Sequence, residues 1–167
     1  MNATDVNETR TKSTSRAFAE EIAIEIEALC GAARGISAVV DLFLNTGMEG
    51  MGKDRLVKAA CIPRECPIQR FTRNSVKKMP NVTVVIQARS EDLNGREPEE
   101  FCAVAEEVAS ALVASGTIGY FTITEAVSNG AFIKEHFETA GVISVPITVV
   151  GEITEDIVTF GTGRTTR

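Results

Sequence analysis

Four cysteines and one histidine carry most of the reactive potential of this 167-residue chain. Four residues separate Cys61 and Cys66 in the run Cys61-Ile62-Pro63-Arg64-Glu65-Cys66-Pro67, with Arg55, Lys58, Arg64 and Arg70 close by in sequence. Positive charge lowers a thiol pKa, so a reversible dithiol or redox-sensing pair is one chemistry open to them. The spacing is wide for a dithiol on a helix, and Pro63 interrupts a helical turn. The plainer reading is two partly buried thiols in an irregular connector. Cys102 is a single thiol among glutamates, which raise its pKa, and it also serves as a small apolar filler on a helix face.

Metal and cofactor chemistry find little support. The chain has one histidine, His136, and no Cys-x-x-Cys pair, so a zinc site would have to gather scattered positions. An iron–sulfur cluster needs four thiolates in loops, whereas Cys30 and Cys102 fall in helical patterns. No cofactor and no metal are expected. His136 sits between Glu135 and Phe137 on a predicted helix, and the sequence offers it no nucleophile to activate. Gly47, Gly50 and Gly52 lack the strand–GxxxxGK[ST]–helix context of a phosphate loop and read as a flexible turn.

The elements that position these residues divide near Pro80. After a polar tail (1–14), Phe18, Ile22, Ile26, Leu29 and Cys30 recur at helical spacing and predict an amphipathic helix over 15–34. Ile36, Val39, Val40, Phe43 and Leu44 fit a second helical stripe, with a buried strand as the alternative. A short basic helix is expected over Lys53–Ala60, and a basic connector over Ile68–Met79. Residues 15–79 thus read as a helical N-terminal extension with a basic connector.

From residue 80 to 167 the pattern becomes alternating. Val82–Ala88 is nearly all apolar and β-branched, as a buried central strand would be. A polar loop precedes a helix opening at Pro98, whose first turn is rich in glutamate. Ile118–Glu125 predicts a strand and Asn129–Thr139 a helix. Val145–Val150 and Ile157–Phe160 predict a closing hairpin joined through Glu152–Asp156. The fold class is α/β, with a β-α-β-α-β-β core after a helical N-terminal region. In that order the second strand runs parallel to the first.

The segment Gly141-Val142-Ile143-Ser144-Val145-Pro146-Ile147-Thr148-Val149-Val150-Gly151-Glu152 and the tail Phe160-Gly161-Thr162-Gly163-Arg164 resemble the thioredoxin-fold superfamily. The resemblance spans about residues 81–164 and is similar to the N-terminal domain of the alkyl hydroperoxide reductase flavoprotein. It implies a cis Val145–Pro146 bond facing the start of the first helix, where family members hold an extended peptide. The family's Cys-x-x-Cys is missing: Arg89–Glu99 stands in its place. The resemblance therefore implies peptide binding through Val145, Pro146, Arg89 and Arg96 rather than ordinary disulfide exchange.

Charge sharpens the choice of partner. The chain carries 17 Lys+Arg against 23 Asp+Glu, a net −6, but residues 53–78 hold eight bases against two acids and residues 91–156 thirteen acids against two bases. The two regions are expected to meet, within one chain or across a homodimer. The N-terminus has no apolar core of a signal peptide, and no apolar run approaches the ~20 residues of a membrane helix. A cytoplasmic protein with no membrane contact is the expectation. The leading function is a thioredoxin-like protein-binding or assembly module. The alternatives are a thiol–disulfide oxidoreductase or electron carrier using Cys61/Cys66 or Cys102, and a nucleic-acid-binding module through 53–78. Nucleic acid is disfavoured because that basic segment contains one aromatic residue, Phe71.

Overall fold

The computed structural model describes residues 12–43, 57–89 and 98–157. Helix α1 (Thr14–Ile26) starts at Ser13, whose hydroxyl accepts a hydrogen bond from the Arg16 N–H. Its buried stripe of Phe18, Ile22 and Ile26 follows the helical period, each side chain contributing about 2–3 kcal/mol by burial. The helix widens into a π-helical stretch at Glu27–Gly31, carries on through a short α2 (Ala32–Arg34), and stops at Gly35 in the left-handed conformation (φ 63°).

The segments beyond Gly35 depart from the helical expectation. Ile36–Val40 is a strand, β1, and Val57–Pro63 is a second, β2, pairing with it in parallel. Their short apolar runs fit either helix or strand locally. Ladder partners decide the matter, because β2 is bonded to β1 on one side and to β5 (Asn81–Arg89) on the other. The expected basic connector is likewise a hairpin, β3 (Ile68–Arg70) and β4 (Ser75–Lys78). Thr72 and Ser75 hydroxyls meet across its turn, and the Asn74 N–H donates to Thr72 Oγ1.

The C-terminal part comprises α3 (Pro98–Ser115), β6 (Thr117–Ile118), β7 (Phe121–Ser128), α4 (Lys134–Ala140) and β8 (Val142–Asp156). The expected connector of the closing hairpin, Glu152–Asp156, is itself strand. Val145–Val150 and Glu152–Asp156 lie in one continuous 15-residue strand. β8 pairs antiparallel with β5 through residues 142–150, with β7 through 147–152, and with β4 through 153–156. The long strand is favoured because β5 and β4 lie end to end along it, interrupted only at Met79-Pro80. The Gly151 N–H donates to the Pro80 carbonyl across that gap. β5 and β7 run in the same direction, as a βαβ connection requires, but β8 lies between them.

The described residues are thus mixed α/β, with one eight-stranded sheet. The expected boundary at residue 80 falls between two strands of that sheet. The main core gathers Phe18 and Ile22 from α1, Cys61 from β2, Val84 and Ile86 from β5, Leu112 from α3 and Val145 and Ile147 from β8, while Ala60, Ile62 and Val85 form a smaller cluster apart from it. α1 and α3 cover the face of the main core. Gly151 is required beneath α1, since a Cβ there would lie 2.5 Å from the Phe18 ring. Among the described residues no helix is long and apolar enough to cross a membrane. The glycine turn at 47–52, the Lys53–Leu56 part of the expected basic helix, Arg96 with its loop, residues 158–160 of the expected last strand and the 161–163 tail lie outside the described residues.

Candidate functional site

The thiols are distributed through the fold. Alternation along β2 turns Cys61 into the core under α1, where it is buried, and burial pushes its pKa strongly upward, with Asp41 adding to the effect. Cys102 faces the same core from α3. Its pKa is raised by burial and then by Glu106 and Glu99, the direction the glutamates predict. Cys66 lies beyond the end of β2. Burial raises its pKa too, outweighing the lowering effects of Lys78, the Met79 backbone and the Ser15 hydroxyl. Cys30, in the π-helical stretch, is raised by burial and Glu107 against Arg34. All four thiols are free. No cation lowers the Cys61 pKa, and at Cys66 the one cation that does, Lys78, is outweighed by desolvation, so no thiol here has the lowered pKa of an exchange-active cysteine. Among the described residues no three His, Cys, Asp or Glu side chains converge as a metal site would need.

The Val145–Pro146 bond is trans, against the expectation of cis. Val145 is buried in the core and Pro146 lies on the opposite face. Two interactions fix the direction of the backbone. The Gly151 N–H reaches back to Pro80 on the β5 side, so even-numbered residues of β8 turn toward β7, and the Pro146 carbonyl accepts from the Asn129 N–H. The nitrogen without a hydrogen therefore falls on the β7 side, where the ladder has ended at Ser128, and costs β5 nothing. This stretch has its backbone partners within the chain, so it does not offer the open edge expected for holding a peptide. Arg89 ends β5 opposite Val142.

A different group of residues is assembled on that opposite face. Register places Lys58, Gln87 and Ser144 side by side across β2, β5 and β8. Gln87 and Ser144 are both 0% exposed. Gln87 Nε2 donates to Ser144 Oγ at 3.2 Å, and Ser144 Oγ lies 2.7 Å from Nδ1 of His136 on α4. The hydroxyl can donate to Nδ1 or accept from it, according to the imidazole tautomer. Gln87 Oε1 has no partner. Lys58, also buried, forms an ion pair with Asp41 at 3.0 Å. His136 therefore does have a hydroxyl beside it. The two stand eight positions apart in sequence, and only the docking of α4 on β8, with the Ile133 N–H donating to the Ser144 carbonyl, brings them together. The seryl oxygen is sealed from solvent, so the row works as an anchor for α4 rather than as an exposed nucleophile.

The basic segment presents an accessible surface. Lys77 and Lys78 of β4 pair with Glu152 and Glu155 of β8, so part of the basic and acidic regions meets within the chain. Arg64, Arg70 and Arg73 pair with no carboxylate among the described residues. Arg64 donates to Thr83 Oγ1, and Arg70 donates to the Thr72 and Arg73 carbonyls in its own turn. Beside them Ile68 is 61% and Phe71 57% exposed. At the β1 border of the sheet the Ala38 N–H, directed outward, is occupied by the Glu27 carboxylate at 3.0 Å. Among the described residues β3 has no strand beyond it. The signal for this surface is present in the sequence as clustered arginines around Ile68 and Phe71, but its strand geometry is not. No family model matches the chain, and no curated protein matches it.

Proposed function

We propose that this chain is a protein-binding or assembly module that works without thiol chemistry. One observation carries it: the β3–β4 hairpin exposes Ile68 and Phe71 beside cations and a strand edge that no described residue pairs with. The desolvated thiols agree with it, since an exchange reaction needs an accessible thiolate.

The test is selection of binders from a random peptide display library on the intact chain, repeated with a variant carrying Cys30→Ser, Cys61→Ala, Cys66→Ser and Cys102→Ala. Enriched peptides should bind both proteins equally, and neither protein should accelerate reduction of a disulfide substrate. Failure to enrich any binder would overturn the proposal, as would disulfide turnover by the wild type that the folded cysteine-free variant loses.

A further inference from the structure

The outer edge of β3 has a defined hydrogen-bonding pattern. The Met79 N–H donates to the Pro67 carbonyl at 2.9 Å and the Phe71 N–H to the Ser75 carbonyl at 3.0 Å. Backbone groups alternate along a strand, so Pro67, Gln69 and Phe71 face β4, while Ile68 and Arg70 turn their N–H and C=O groups outward. All three residues of β3 are exposed. Two donors and two acceptors are thus available to an added strand.

The charge around this edge selects what can be added. Arg64, Arg70 and Arg73 lie in or beside the hairpin without a carboxylate partner among the described residues, whereas Lys77 and Lys78 are already paired. A second copy pairing antiparallel through both outward residues of β3 would set Ile68 opposite Arg70 and gather the unpaired arginines of both copies along one seam, an accumulation of like charge that cationic edges oppose. A nucleic-acid strand would use Phe71 for stacking, but Lys77 Nζ already occupies one face of that ring, 5.0 Å from its centroid. An acidic polypeptide strand satisfies both the backbone pattern and the charge.

We infer that β3 receives an extended, acidic segment of a partner protein by strand addition, with Ile68 and Phe71 meeting its apolar residues. This rests on the protein-binding function proposed above and names its site and the chemistry of its partner.

The test measures, by fluorescence anisotropy at low salt, binding of a labelled decapeptide alternating valine with glutamate, alongside its lysine counterpart and an oligouridylate. The acidic peptide should bind and the lysine peptide should not. Ile68→Pro deletes one outward donor but no β3–β4 ladder bond, and it should weaken binding about fivefold or more. Ile68→Val should stay within about twofold of wild type. Arg73→Glu, which leaves the strand untouched, should weaken binding about threefold. Equal binding of the two peptides would overturn the inference, as would undiminished binding by a folded Ile68→Pro protein. Tighter binding of the oligouridylate would assign the edge to nucleic acid. A concentration-dependent dimer in sedimentation that Ile68→Pro abolishes would assign it to a second copy. If displayed binders exist but ignore both Ile68→Pro and Arg73→Glu, the strand-addition site falls and the binding function stands.

Discussion

Ser144 Oγ lies 2.7 Å from His136 Nδ1, and this contact fastens a seven-residue helix to the middle strand of the sheet. A helix that short has little stability of its own, so its position depends on what it docks against. Gln87 completes the row from beneath, donating through Nε2 while its Oε1 stays unpartnered in a fully buried setting. The row therefore has an asymmetric energetic structure: the serine is needed by two neighbours, whereas the glutamine carries an uncompensated acceptor.

Replacing Ser144 by Ala removes the partner of both Gln87 and His136 and should cost about 2 kcal/mol, because the buried amide is then left wholly unsatisfied. Replacing both residues at once, Gln87→Met with Ser144→Ala, should restore most of that loss, since two buried polar groups leave together. Urea denaturation of the two single variants and the double variant checks this. A double variant as unstable as the sum of the singles would show that the row is not coupled. His136→Ala should loosen α4 locally, seen as faster amide exchange over Lys134–Ala140 with little change at β5.

Phe18 and Gly151 make a second, steric pair. The aromatic ring fills the space a side chain at 151 would take, 2.5 Å from an added Cβ. Gly151→Ala should destabilise the protein by about 3 kcal/mol through overpacking. Adding Phe18→Leu should recover part of this, because the smaller side chain vacates the ring position, although it also gives up the Phe18–Phe121 contact at 4.9 Å between centroids. Thermal unfolding of the two singles and the double measures the coupling. Strict additivity would contradict the geometry.

The thiols set a pH dependence whose sign comes from their environment. Each is raised above its ordinary value of 9.0, with burial as the largest cause in every case. The folded chain keeps these protons when the unfolded chain has released them. Their contribution to stability is therefore complete below about pH 9 and is lost progressively as the pH rises above it toward the higher folded-state values. Denaturation midpoints in a cysteine-free variant should fall less between pH 9 and pH 10.5 than those of the wild type. At neutral pH iodoacetamide should label Cys66 and Cys30 slowly, and Cys61 only through unfolding, so rapid labelling of Cys61 in the folded protein would contradict its placement.

Local pattern sufficed for the helices and for some strands. The i, i+4 stripe of Phe18, Ile22 and Ile26, the opening proline and glutamates of α3, and the β-branched run of β5 are each legible because one period or one cap dominates over many residues. Where runs were short, the sequence alone left the choice open or pointed the wrong way. Ile36–Val40 and Val57–Pro63 became strands because each supplies ladder partners to the other and to β5, a fact no window of either segment contains. The same holds for the site. The arginines around Ile68 and Phe71 were visible as a basic segment, but not as a strand edge. The meeting of His136, Ser144 and Gln87, and the sealing of Cys61 away from its cationic neighbours, were decided by the tertiary structure. Side-chain chemistry is written residue by residue, whereas burial and register belong to the whole sheet.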